Sequence, residues 1–260
     1  MKSELINTTY LEVNKVKRTR SSKHSAVYLR IAGLLIAMLL ISTSLLCLTA
    51  CGGEPNPEAV VKFSDATFEK CLRIKCGFAN RTIHYSDILA ISELDLSEMD
   101  VIRDISDIAK FKNLQELDLS HNAIEDISPL KGLDYLTVLN LRSNNISDIT
   151  PLRELSLLEN LYLAFNNISD ISVLRGLTAL EILDLSDNRI SDISALSGLN
   201  ELYWLFLSDN NISDITPLKS LSRLDSLDII DNPVPSEQVA ELEDTLPRCL
   251  ILTEEFSPWW

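Results

Sequence analysis

The chain has 260 residues, is 46% hydrophobic with only 7 glycines, and carries a formal net charge of -15. That is ample apolar material for one elongated domain with end pieces. The acidic balance speaks against nucleic-acid binding, which needs clustered cations against phosphates.

The first fifty residues differ from the rest. Lys15, Lys17, Arg18, Arg20, Lys23 and Arg30 precede the uncharged run IAGLLIAMLLISTSLLCLTA, from Ile31 to Ala50. A basic flank before an apolar run is an export signal, with the flank left in the cytoplasm. The run ends in LTACGG, which resembles the bacterial lipoprotein box: an aliphatic residue, two small ones, then the cysteine that receives diacylglycerol. The resemblance implies that Cys51 is lipidated and that the chain is anchored to the bacterial cell membrane on its extracytoplasmic face. The run is also long enough to span a bilayer, so an uncleaved signal anchor is the second reading. Residues 1–50 thus read as a signal peptide, and 51–62 as a lipidated cysteine with a short tether at Gly52, Gly53 and EPNPE. Of 23 Lys and Arg, seven precede Cys51, whereas only two of 38 Asp and Glu do, leaving the remainder near -20.

FSDATFEKCLRI, Phe63 to Ile74, reads as a helix with Ser64 or Asp65 near its start. With DILAISELDLS from Asp87 it forms a helical amino-terminal cap over 63–90. Cys71 and Cys76 lie too far apart for a usual zinc pair. They read either as a bridge, if the helix breaks near Gly77, or as free thiols with one buried.

Beyond this point one unit recurs. NNISDI occurs at residues 144 to 149, 166 to 171 and 210 to 215, and Asn122, Asn144, Asn166, Asn188, Asn210 and Asn232 are each 22 residues apart. Upstream of each asparagine stands L-x-x-L-x-L-x-x-N, as in LQELDLSHN from Leu114 and LEILDLSDN from Leu180. In L-x-L two leucines point to one side of a strand and the middle residue to the other, so every unit buries one face and exposes one. One unit cannot cover its own leucines; stacking does. The asparagine amide is expected to bond backbone groups of its own and the adjoining coil. The column Asp104, Asp126, Asp148, Asp170, Asp192 and Asp214 precedes I-x-x-L and reads as capping of short helical return segments rather than as calcium ligands.

This pattern resembles the leucine-rich repeat, and its I-S-D-I-x-x-L-x-x-L continuation resembles the internalin type, over about residues 63 to 253. The resemblance implies a leucine-rich repeat solenoid of the α/β horseshoe type. Parallel strands would line its concave face, short 3-10 or irregular segments its convex side, and a helical cap would precede the repeats. Six units occupy 91–223; the first runs 23 residues and has Met99 in place of the ladder asparagine. Residues 224–260 hold a partial repeat and a carboxy-terminal cap, with SEQVAELEDTLPRCLIL read as helix then strand and Cys249 as a small apolar residue before it. Trp259 and Trp260 have no assigned role.

No Gly-rich phosphate loop, HExxH or GxSxG occurs. No catalytic residue, metal or cofactor is therefore expected. Binding is read from the letters that vary on the strand side while the frame stays fixed. All aromatics between residues 136 and 255 fall there: Tyr162, Phe165, Tyr203, Trp204 and Phe206. Of these, Tyr162, Trp204 and Phe206 are expected to form a near-continuous apolar patch with Ile182, rimmed by Asp184 and other carboxylates against the single basic Arg142. This predicts a monomer that binds a protein partner, basic in character, through its concave face. Six strands at ~4.8 Å and five residues of width give a face near 400 Å², about half of what a standard partner buries, so a loop, peptide or narrow edge fits best. The alternatives are glycan or cell-wall binding through the same aromatics, and an intracellular regulatory repeat protein.

Overall fold

The computed structural model describes residues 56–253. The expectations for Cys51, the apolar run and the Trp259–Trp260 tail lie outside the described residues.

The repeats build one sheet of eight parallel strands in chain order. They are β1 (Glu93–Asp95), β2 (Glu116–Asp118), β3 (Val138–Asn140), β4 (Asn160–Tyr162), β5 (Ile182–Asp184), β6 (Trp204–Phe206), β7 (Ser226–Asp228) and β8 (Leu250–Leu252). Registered partners run Glu93, Glu116, Val138, Asn160, Ile182, Trp204, Ser226 and Leu250. The step is thus 23 residues at the first pair, 22 for the next five and 24 at the last. Constant spacing lets equal residues fall on equal heights, and the middle leucines Leu139, Leu161, Leu183, Leu205 and Leu227 stack with no exposure at all. Each such burial contributes about 1.5–3 kcal/mol of transfer free energy.

The chain returns through 3-10 turns: Ser106–Lys110, Ser128–Leu130, Thr150–Glu154, Ser172–Gly176, Ser194–Gly198 and Thr216–Ser220. The aspartate column starts them. Asp126 accepts from Ser128 N–H at 2.7 Å, Asp148 from Thr150 at 2.8 Å and Asp170 from Ser172 at 2.8 Å, and the other three do the same. Each sits one residue before the cap position and closes a turn onto the N–H two residues on.

The ladder asparagines join successive coils. Asn166 donates to Leu163 O and Ala164 O in its own coil and to Leu141 O in the previous one, and accepts from Ile146 N–H at 2.9 Å. A turn inside an apolar stack would otherwise leave these groups unpaired, at about 1–3 kcal/mol each.

Both ends are closed. Helix α1 (Ala66–Lys75) is capped by Asp65, which accepts from Phe68 N–H, and α2 (Tyr85–Leu89) follows it. Cys71 and Cys76 are free thiols, Cys71 being buried; the helix runs unbroken to Lys75. The cap is fastened to the first repeat by Asp107, which is fully buried and accepts from Ser64 N–H, Ser64 O–H and Asp65 N–H while pairing with Lys110. At the far end α3 (Ser236–Thr245) buries Leu242, and its Gln238 ties the helix to the last return segment by accepting from Ile215 N–H at 2.9 Å and donating to Ser213 O.

Candidate functional site

The strand positions between the leucines form two parallel columns. One runs Glu116, Val138, Asn160, Ile182, Trp204 and Ser226; the other runs Asp118, Asn140, Tyr162, Asp184, Phe206 and Asp228. Trp204 therefore has Ile182 and Ser226 as neighbours, while Phe206 has Asp184 on one side and Asp228 on the other.

This corrects the expected apolar patch. Tyr162 is 4% exposed, Ile182 2% and Asp184 6%, so these three form the floor of the face rather than its outer surface. Asp184 also interrupts the aromatic column between Tyr162 and Phe206, and Asn160 separates Val138 from Ile182. The physical reason is strand spacing. Side chains ~4.8 Å apart are covered by long neighbours from both adjoining strands. What solvent meets is Tyr203 and Phe165, both exposed, with Trp204 and Phe206 half-buried between strands. The Tyr203 and Trp204 rings lie 5.4 Å apart in a tilted pair.

Phe165 has a feature the sequence reading missed. Residues immediately before the ladder asparagine adopt left-handed backbone: His121, Ser143, Phe165, Asp187, Asp209 and Asp231 all have φ between 53° and 56°. Histidine and aspartate tolerate this region well, but a bulky aromatic there is an outlier. The recurrence of Asp, Ser and His in that column was the available signal.

Arg142 ties Phe165 to the floor. Its guanidinium carbon lies 4.4 Å from the Phe165 ring centroid, and Nη1 is 3.5 Å from Asp184 Oδ2. Burial pushes the Asp184 carboxyl above its usual range, against the Ser186 hydrogen bonds and the Arg142 charge, which act to lower it. Asp228 is raised too, first by burial and further by the negative Asp184 and Asp209, with the Ile230 N–H and the Ser208 hydroxyl acting the other way. Asp118 accepts from the Asn140 amide at 2.9 Å. The face is thus apolar and acidic, with a single guanidinium laid across it. Among the described residues no group of three His, Cys, Asp or Glu is placed to hold a metal.

The repeats match the family model described as leucine rich repeats (2 copies) over residues 112–154 and 156–198. No curated protein sequence matches the chain. Among solved structures, an internalin (InlF) from Listeria monocytogenes is similar at 32% identity and TM-score 0.69, covering 74% of this chain and 56% of its own. Internalin C2 (InlC2) from the same organism is similar at 30% identity and TM-score 0.61, covering 79% of this chain and 100% of its own. The ectodomain of the Arabidopsis receptor kinase HAESA, solved with a peptide hormone ligand, is similar at 26% identity and TM-score 0.50, covering 58% of this chain and 27% of its own. The chain spans little more than half of InlF and the whole of the InlC2 structure. Leucine-rich repeats are commonly protein-interaction modules, and the chain belongs to the internalin-like leucine-rich repeat family.

Proposed function

We propose that the chain is a membrane-tethered module that binds a protein partner through the strand side of its repeats, on the outer face of a bacterial membrane. The observation that carries the binding half is Phe165. A half-exposed aromatic is held in left-handed backbone where the other repeats place Asp, Ser or His, at a cost of about 1–2 kcal/mol. Nothing in the stacking of leucines requires a ring at that position. Strained residues cluster at ligand clamps, and the same strand side carries the exposed Tyr203 ring and half-buried Trp204 and Phe206. The HAESA ectodomain, with a peptide hormone as ligand, gives a precedent for a short chain segment on a repeat surface.

The tethering half rests on LTACGG and its basic, apolar lead, with Cys51 as the lipidated residue. A Cys51→Ser variant should lose incorporation of a palmitate-type probe and move from the membrane to the soluble fraction. Persistence of the label in that variant would remove the lipoprotein reading.

The binding half is tested with the full-length chain beside a Trp204→Ala, Phe206→Ala double variant of matched thermal stability. Both are used to capture proteins from bacterial-envelope and host-surface extracts, with and without soluble sugars. Loss of a specific captured protein in the variant alone is the expected result. Equal capture by both moves the site off this face, and release by sugar alone favours glycan binding.

A further inference from the structure

The way Arg142 is held defines what else this face accepts. Its planar, weakly hydrated guanidinium lies against the Phe165 ring and reaches a carboxylate two strands away. Among the two columns and their flanks, from the row of Leu114 to that of Leu224, it is the only Lys or Arg. The face therefore binds one guanidinium by a ring and a shielded carboxylate, and that guanidinium is its own.

Asp228 repeats Asp184 two strands further on. It lies in the same column, half-buried, and Phe206 is in register with both carboxylates. The position that corresponds to Arg142 is Ser186, which is buried and engaged with Asp184. Among the described residues no lysine or arginine pairs with Asp228. Its carboxylate accepts from the Ile230 N–H at 3.0 Å and from the Ser208 hydroxyl, both neutral donors. Holding a shielded carboxylate on neutral donors beside other carboxylates costs free energy in the free protein, and a cation brought by a partner recovers it.

Charge across the surrounding rows points the same way. The rows of Leu158, Leu180, Leu202 and Leu224 carry Glu159, Glu181, Asp209 and Asp225 on their flanks and no basic residue. Three strand spacings span about 14 Å, the length of four to five extended residues.

We propose that Asp228, with the rings of Phe206 and Trp204 beside it, seats an arginine side chain of a basic protein segment laid across these four rows. The inference rests on the strand-side binding face argued above and names the chemistry of its partner. Arginine is favoured over lysine because a guanidinium stacks on an aromatic while bonding a carboxylate, as Arg142 does.

The test is calorimetric titration of the full-length chain, in neutral-detergent micelles, with capped tetra-arginine, tetra-lysine and tetra-citrulline peptides. Citrulline keeps the shape of arginine and removes its charge. Tetra-arginine should bind at submillimolar concentration and lose affinity with added salt, tetra-lysine should bind several-fold more weakly, and tetra-citrulline at least tenfold more weakly. Asp228→Asn should weaken tetra-arginine at least tenfold with an unchanged or higher melting temperature, which separates lost recognition from lost folding. No heat at millimolar tetra-arginine, equal binding of tetra-citrulline or of tetra-lysine, or full binding by Asp228→Asn would each overturn the proposal. If Trp204→Ala, Phe206→Ala loses tetra-arginine while Asp228→Asn keeps it, the binding face stands and the arginine seat falls. If neither variant loses it, both fall, and the peptide is reading net charge alone.

Discussion

Asp107 fastens the amino-terminal cap to the first repeat through three hydrogen bonds and the Lys110 ammonium, with no exposure to solvent. Burial by itself would raise its pKa, but Lys110 and the Ser64 and Asp65 donors outweigh that and hold it below the usual carboxylate range. The ionised form is therefore favoured by folding. Its contribution is fully present above the unfolded value near 3.9 and is lost as pH falls through the lower folded value. Asp107→Ala, which strands two backbone N–H groups, is expected to lower unfolding free energy by about 2–4 kcal/mol in urea titrations. Asp107→Asn should flatten the fall in stability below about pH 4. An unchanged acid limb in that variant would mean that the cap is held by packing alone.

Phe165 poses the opposite case, since its backbone strain of about 1–2 kcal/mol is offset by stacking with Arg142 worth about 0.5–1 kcal/mol. The stacking offsets about half of the strain. Phe165→Asn, which places a residue tolerant of left-handed backbone there, should change unfolding free energy by less than about 1 kcal/mol while reducing partner capture. A loss of several kcal/mol would make Phe165 a structural ring rather than a contact.

At the scale of the repeat, the ladder asparagine and the middle leucine stabilise the stack by different means. Asn166→Ala removes one acceptor and three donated bonds between buried groups, and about 3 kcal/mol is expected. Leu161→Ala leaves a cavity between β3 and β5, at about 2–5 kcal/mol. Chemical denaturation of both variants tests this; an asparagine loss below 1 kcal/mol would mean that water replaces the amide. These elements were legible in the sequence because each depends on letters at a fixed local spacing: L-x-L for the strand, N for the ladder, D before I-x-x-L for the turn. The surface was less legible. Whether Tyr162 and Ile182 meet solvent depends on Asn140, Asn160, Asp184 and Trp204, which lie a full repeat away and act only once the register is set. The Gln238 contact at the far end and the left-handed column likewise follow from coil geometry rather than from composition.

The whole stack is a one-dimensional object in which each coil touches mainly its neighbours, so stability adds coil by coil between two caps. Because five consecutive registers step by 22 residues, removing residues 155–176 should rejoin the chain at equivalent points, leaving both caps and every other leucine layer in place. The expected product still unfolds cooperatively, with a smaller denaturant slope in keeping with the lost surface and a modest fall in midpoint. Its strand-side face changes far more than its stability. Tyr162 and Phe165 are gone, Asp184 moves to the coil next to Arg142 and Asp187 takes the place of the Phe165 ring, so the guanidinium exchanges its ring for a second carboxylate. Circular dichroism and urea titration report the frame, and capture of the partner reports the face. A deletion that folds yet no longer binds separates the repeated letters, which hold the stack, from the few varied ones, which choose the partner. A deletion that fails to fold would show instead that the coils are not interchangeable and that contacts beyond nearest neighbours hold the solenoid.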